Sequence, residues 1–220
     1  MKRLIDVVVG TILALATLPI VLLLALATAV SLRAWPLFVQ TRIGAGGVPF
    51  RLVKLRTLPV STAHYADKRA IEAIPLPWLS CVLRHTHLDE LPQLFLVPVG
   101  LMSLVGPRPE MSFLHEQMPT AFARRRTQVR PGCTGLWQIG HGCDGLIAES
   151  PEYDLHYVDN QSLLLDLWIA WRTVAMIIDR NTVSLADVPS WLPEAGTVTP
   201  FTLAHSHSHA HTEIEVDPAA

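Results

Sequence analysis

Two adjacent carboxylates, Asp89 and Glu90, stand in the middle of His85-Thr86-His87-Leu88-Asp89-Glu90-Leu91-Pro92-Gln93-Leu94-Phe95. Neighbouring residues on a helix project about 100° apart. The pair therefore cannot present one shared face, and a division of labour is natural: one carboxylate attacks or accepts a proton, the other holds a cation. Taken alone, the same pair also reads as an ordinary acidic first turn that complements a helix dipole. Its company says more. Lys54 and Arg56 lie two apart, on one face of a strand-like segment. Arg108 sits between Pro107 and Pro109, a stiff support suited to bidentate recognition of phosphate. Arg130 heads Arg130-Pro131-Gly132-Cys133-Thr134-Gly135, whose glycines and threonine are candidates for a backbone-amide concavity that takes an anion. Singly, a basic strand face is usually solvated and a Pro-Gly segment is usually a turn.

The acidic pair needs a helix start. Thr86 followed by Asp89 reads as a capping box, and Asp89 itself as the cap would place Pro92 in the first turn, where proline is tolerated. Either version leaves the pair at a helix N-terminus, with Leu91, Leu94 and Phe95 as its apolar face. Leu37–Gln40 and Phe50–Arg56 read as strands around a Gly44–Gly47 turn, and residues 57–78 as loop with a short helix. Arg124-Arg125-Arg126 reads as solvated surface. Residues 163–178 form a strongly apolar helix with Trp168 and Trp171 on one side, suited either to a bilayer surface or to core packing. Cys133, His141 and Cys143 fit no common zinc spacing. The three cysteines form an odd, unpatterned set, in keeping with free thiols in a reducing compartment. Beyond Trp191 apolar content falls, and the alternating His205, His207, His209 and His211 mark a low-order tail rather than a metal site.

The front of the chain has its own chemistry. Residues 7–32 run for 26 positions without a charge or a histidine, about 39 Å as one helix against roughly 30 Å of hydrocarbon. Pro19 near the middle leaves the Leu15 carbonyl without its usual donor, and only a hydroxyl such as that of Thr17 stands nearby to help. A kinked span, a signal peptide and a re-entrant hairpin of two short arms all compete. The apolar core is too long for a signal peptide. Lys2 and Arg3 before the run, and Arg33, Arg42, Arg51, Lys54 and Arg56 after it, make both ends basic, which favours both ends on the cytoplasmic side. Trp35-Pro36 suits a membrane interface. The net charge of −2 gives no global basic field for nucleic acid.

In order along the chain, the pieces resemble the bacterial sugar transferase family, small monotopic phosphoglycosyl transferases. The resemblance rests on Lys2-Arg3 with Asp6 and the run around Pro19, Lys54-Leu55-Arg56-Thr57, Arg84 and Leu88-Asp89-Glu90-Leu91-Pro92-Gln93-Leu94. It continues through Met102-Ser103, Gly106-Pro107-Arg108-Pro109, Arg130-Pro131-Gly132 with Thr134-Gly135, Tyr153-Asp154 with Tyr157, and Leu165-Asp166-Leu167, covering residues 1 to about 180. It implies an α+β protein: a re-entrant membrane helix-break-helix over 1–33 broken at Pro19, a mostly helical cytosolic catalytic domain over 34–190 with a small β-hairpin and surface-lying amphipathic helices, and the tail 191–220. No extra transmembrane domain is expected ahead of this core. The implied activity moves a sugar 1-phosphate from a nucleotide diphosphate sugar, expected to be a UDP-sugar, to polyprenyl phosphate. The nucleoside monophosphate is released, as the first membrane step of exopolysaccharide, capsule, O-antigen or glycoprotein glycan assembly. Asp89 is the implied nucleophile and Glu90 the implied Mg²⁺ ligand. Lys54, Arg84, Arg108 and Arg130 are expected to bind phosphate, and Thr134, Gln138 and Asp154 to contact nucleotide or sugar. The expected partners are the nucleotide sugar, polyprenyl phosphate and the bilayer, with a second copy or downstream glycosyltransferases as further candidates. The expected place is the cytoplasmic face of a bacterial inner membrane.

The chain departs from the family pattern at Leu18, where a serine usually precedes the breaking proline. It departs again at Leu96, Pro98, Val99 and Leu101, mostly polar positions in the family, and at Gly140-His141-Gly142, where an arginine is usual. These departures motivate a rival reading, a catalytically silent membrane scaffold or sugar-nucleotide sensor.

Overall fold

The computed structural model describes residues 1–62 and 74–189; part of the expected 57–78 loop and all of the tail 191–220 lie outside these residues. The protein is α+β. Helix α1 (Lys2–Leu32) is followed by strands β1 (Leu37–Ile43) and β2 (Pro49–Leu55), helix α2 (Trp78–Thr86) and a 3₁₀ helix (Leu88–Leu96). After these come β3 (Ser103–Val105), β4 (Glu110–Met111), α3 (Ser112–Glu116), α4 (Thr120–Arg126), β5 (Gly132–Thr134), α5 (Leu136–Ile139), α6 (Pro151–Asp159) and α7 (Leu163–Asp179).

Helix α1 runs on through Pro19, 31 residues and about 46 Å, long and apolar enough to cross a membrane by length and composition. The Thr17 hydroxyl donates to the Leu13 carbonyl at 2.7 Å rather than to that of Leu15, which corrects the expected rescue. A buried stripe of Asp6, Gly10 and Ala14 recurs every fourth residue and faces protein, while Ile12, Leu15, Leu22, Leu23 and Leu26 stay exposed. Gly10 allows the close approach: a Cβ there would lie 2.7 Å from Val97 Cγ1. Polar groups lock the front of the helix down. Lys2 Nζ donates to Asp166 Oδ2 at 2.6 Å and to the Val105 carbonyl at 3.2 Å. Arg3 donates to the carbonyls of Val97 and Pro98, and Asp6 accepts from the Ser103 hydroxyl and the Leu104 amide.

The predicted hairpin forms. β1 and β2 pair antiparallel with Phe38 opposite Lys54 and Gln40 opposite Leu52, and β4 joins the other edge of β1. Lys54 and Arg56 share a face as their spacing requires, both over the Phe38 ring at 5.7 and 5.8 Å. A second, parallel pair joins β3 to β5. There Gly106 and Gly132 cross so tightly that a Cβ on Gly132 would lie 2.1 Å from the Gly106 nitrogen. The main core gathers Phe122, Leu136, Ile139, Tyr157, Leu165 and Ile169 from α4 to α7, and a smaller one of Phe50, Leu52, Val97 and Met102 underlies the hairpin.

Helix α7 is capped by Ser162, whose hydroxyl accepts from the Leu165 amide. It turns Leu165 and Ile169 inward and leaves Leu164, Leu167, Trp171, Val174 and Ile178 exposed. Trp168 packs against the core while Trp171 is exposed, so the two tryptophans do not share an environment. The arginine triplet is corrected too: only Arg124 is exposed, Arg125 pairs with Asp159, and Arg126 is buried against Asp154.

Candidate active site

The acidic pair does begin a helix, but neither expected cap forms. The Thr86 hydroxyl bonds back to the Val82 carbonyl at 2.7 Å and so closes α2 instead. His87 adopts a left-handed conformation (φ 55°), and the Glu90 amide bonds to its carbonyl in a tight turn. The helix is 3₁₀, three residues per turn, which accommodates Pro92 inside it. With that winding, Asp89, Pro92 and Gln93 are the buried residues. Leu91, Leu94 and Phe95 are only half-buried, so the expected apolar face is not the one the protein covers most.

Asp89 is 5% exposed. Burial pushes its carboxyl above the ordinary value; Lys54 opposes that rise and Glu90 adds to it. Burial acts the same way on Glu90, but Arg108, Lys54 and His87 together outweigh it and hold that carboxyl below the ordinary value. Arg108 Nη2 donates to Glu90 Oε1 at 3.3 Å. Burial lowers the Lys54 ammonium, and the two carboxylates offset this only in part. The pair is thus split into a harder-to-ionise Asp89 and an ionised Glu90, with Lys54 in the field of both.

A cavity of about 240 Å³ has walls that include Arg42, Lys54, Arg56 and Arg84 along with Phe38 and Leu55; neither carboxylate lines it, and Lys54 and Arg84 connect it to the pair through their charge on Asp89. A smaller cleft is lined by Glu90, Gln93, Arg108, Gly132 and Cys133, and Arg42 and Lys54 line both. Arg84, in the last turn of α2, donates to the Thr57 hydroxyl and adds its charge to the field on Asp89. Lys54, Arg84 and Arg108 are therefore gathered around Asp89 and Glu90. Arg130 is not: it is exposed and donates to the Gly100 carbonyl. In the expected amide concavity beside it, the Gly132 amide is taken by the Pro107 carbonyl and the Thr134 carbonyl accepts from the Gly106 amide. Thr134 Oγ1 lies 2.7 Å from Thr173 Oγ1. The Gln138 amide group is enclosed without a hydrogen-bond partner among the described residues. Asp154 is 1% exposed and ion-paired to Arg126, too deep to touch a substrate; this corrects its expected role.

Arg42 is the site residue that sequence reasoning missed. It is buried, its Nη1 lies 3.4 Å from Glu110 Oε1, and it also donates to the Gln40 side chain and the Pro109 carbonyl. The available signal was its place on β1, two and four residues from Gln40 and Phe38 and hence on the same face.

Among the described residues no cluster of three or more His, Cys, Asp or Glu gathers as a metal cage. Mg²⁺ does not require one: it commonly binds through one or two carboxylates plus substrate phosphates and water. Glu90 fits that pattern, being ionised, on the cleft wall, and bonded to Arg108 through only one of its two oxygens.

The model of the bacterial sugar transferase family matches residues 1–180. The chain belongs to the bacterial sugar transferase family. A UDP-glucose:undecaprenyl-phosphate glucose-1-phosphate transferase of Caulobacter vibrioides is 37% identical over 194 residues, 80% of this chain and 69% of the relative. An exopolysaccharide production protein of Sinorhizobium fredii is 33% identical, with 80% of this chain and 84% of the relative covered. A UDP-N-acetylgalactosamine-undecaprenyl-phosphate N-acetylgalactosaminephosphotransferase of Aeromonas hydrophila is also 33% identical, over 75% of this chain but only 41% of its own length. Val99, Leu101 and His141 are exposed, Leu96 packs on the smaller core, and none of them lines either cleft.

Proposed function

We propose that this bacterial sugar transferase moves a sugar 1-phosphate from a UDP-sugar to undecaprenyl or a similar polyprenyl phosphate, releasing UMP. The observation that carries the reading is the divided acidic pair among cations: Lys54 acts on both carboxylates and lines both clefts, and Glu90, held ionised by Arg108, stands on the wall of the smaller one. An Asp89 oxygen attacks the β-phosphorus, forming an acyl phosphate and breaking the bond to the bridging oxygen, which leaves on UMP. The acceptor's phosphate oxygen then displaces Asp89 and restores the carboxylate. Lys54, Arg84 and Arg108 hold the phosphate oxygens in place and counter the charge that develops on them. Glu90 would hold Mg²⁺, which when bound neutralises phosphate charge. The relatives' names support the reaction class and differ in the sugar they specify. That Asp89 and Glu90 stand among Lys54, Arg84 and Arg108 favours an enzyme over a silent scaffold.

The membrane reading is part of the same proposal. Residues 1–33, a single helix with Pro19 inside it rather than two separate arms, enter and leave the cytoplasmic leaflet of the inner membrane by one face, and residues 34–190 form the catalytic domain on that face. What supports it is that both ends of α1 are fastened to one folded domain. Lys2, Arg3 and Asp6 hold the front, and the carbonyls of Trp35 and Pro36 just past its end accept from Arg56. The exposed apolar strip of α7 gives that domain a further face for the bilayer.

A panel of UDP-sugars with undecaprenyl phosphate tests the function. UMP release with one sugar is the expected result; no release with any sugar, from well-folded protein in lipid, sinks the reading in favour of the scaffold.

A further inference from the structure

Arg108 is mounted in an unusual way. Pro107 and Pro109 remove the amide donors on either side of it, so the Val105–Pro109 segment cannot be pinned by a regular ladder of its own N–H groups. Its carbonyls are pinned instead. Val105 accepts from Lys2 and Tyr157, Pro107 from the Gly132 amide, Arg108 from Arg126, and Pro109 from Arg42. Of these contacts, that from Arg126 holds the functional residue itself: Nη2 lies 2.6 Å from the Arg108 carbonyl oxygen. Arg126 is in turn fixed. It is 3% exposed, its Nε donates to Asp154 Oδ2 at 2.9 Å, and its guanidinium stands 5.8 Å from the Phe122 ring. Asp154 comes from α6, the same helix that sends Tyr157 to the Val105 carbonyl. Helix α6 therefore holds Val105 directly through Tyr157 and Arg108 indirectly, through Arg126 of α4.

From this geometry we infer that Arg126 and Asp154 are positioning residues for the reaction, a buried ion pair whose work is to hold Arg108 against Glu90. The inference rests on the proposed function, because it presumes that Arg108 meets substrate phosphate. A guanidinium alone suits the post, since its fork reaches the carboxylate and the carbonyl together, whereas a lysine ammonium offers no such rigid fork. Displacing a positioned group by about 1 Å can cost on the order of 100-fold in rate.

The test uses the full chain in lipid, with Arg126→Ala, Arg126→Lys and Asp154→Asn. Hydrogen exchange is followed along residues 103–111 beside turnover and thermal unfolding. Exchange of that segment is expected to rise in all three variants while α6 and α7 stay protected. In Arg126→Ala, kcat is expected to fall about 100-fold with KM for the UDP-sugar changed less than about 3-fold. Millimolar guanidinium should restore part of both the protection and the turnover in Arg126→Ala and do nothing for Arg126→Lys, where the side chain fills the space. Unchanged exchange at 103–111 in all three overturns the inference. So does exchange that rises evenly through the domain with activity following the folded fraction. Should the wild type release no UMP from any sugar, the functional reading falls, while the exchange and its guanidinium rescue still decide whether Arg126 holds the segment.

Discussion

At the scale of single residues, the site works by giving two neighbouring carboxylates different surroundings. Asp89 is raised mainly by burial, so the acid limb of kcat/KM for its turnover should lie above the ordinary aspartate value of about 3.9. Lys54 opposes that rise. Replacing it with methionine removes the cation that favours the carboxylate, so the limb should move to higher pH as well as the rate falling; a limb that stays put or moves lower contradicts the assignment. Cys133 gives a second residue-scale test. Burial first, then Glu90 and Asp6, push its thiol up to about 12, whereas Cys81 is exposed. Iodoacetamide at pH 8 should therefore label Cys81 quickly and Cys133 barely, read by peptide mass spectrometry. The acidic pair, Lys54 and Arg108 were legible in the sequence because carboxylates at a helix start and stiffly mounted cations carry their own signals. Arg126 was not. Its burial depends on Asp154, a partner 28 positions away that no local pattern announces.

At the scale of elements, the segments with a clear period were readable and their ends were not. The β1–β2 hairpin and α7 follow from alternating and helical apolar patterns, and they form close to the expected bounds. The helix of the acidic pair defeated its cap signals because His87 takes a left-handed turn and the chain winds as 3₁₀ around Pro92. A left-handed residue other than glycine costs about 1–2 kcal/mol, and α2 and the 3₁₀ helix, which the turn joins, pack against each other. The docking of α1 was half legible. Lys2 and Arg3 suggested membrane orientation, yet Lys2 also closes a network with Asp166, Tyr157 and the Val105 carbonyl. Replacing Lys2 with methionine leaves Asp166, which is 12% exposed at its side chain, without its ammonium. Losing one partner of a largely buried pair costs about 3–5 kcal/mol, and the lower part of that range is expected here because Lys2 is partly solvated. Thermal unfolding in lipid should show that loss, and a variant as stable as wild type would mean the network does not hold the helix.

At the scale of the whole molecule, the long apolar helix α1 meets the segment that carries Arg108 at the Val105 carbonyl, which accepts from Lys2. If α1 is re-entrant, a cysteine at position 4, in place of the exposed Leu4, should react only from the cytoplasmic side in a Cys81→Ser background. Labelling of intact cells by an impermeant reagent would require a full span. Leu4 serves as the probe because Lys2, Arg3 and Asp6 are part of the docking network. The central claim, that Asp89 is the nucleophile, has a direct test in the absence of acceptor. Protein incubated with its UDP-sugar and Mg²⁺, then quenched, should carry up to one sugar phosphate per chain, mapped to Asp89, with matching release of UMP. Asp89→Asn should show neither the adduct nor the release, and undiminished turnover by Asp89→Asn, or an adduct mapped to another residue, would contradict the assignment.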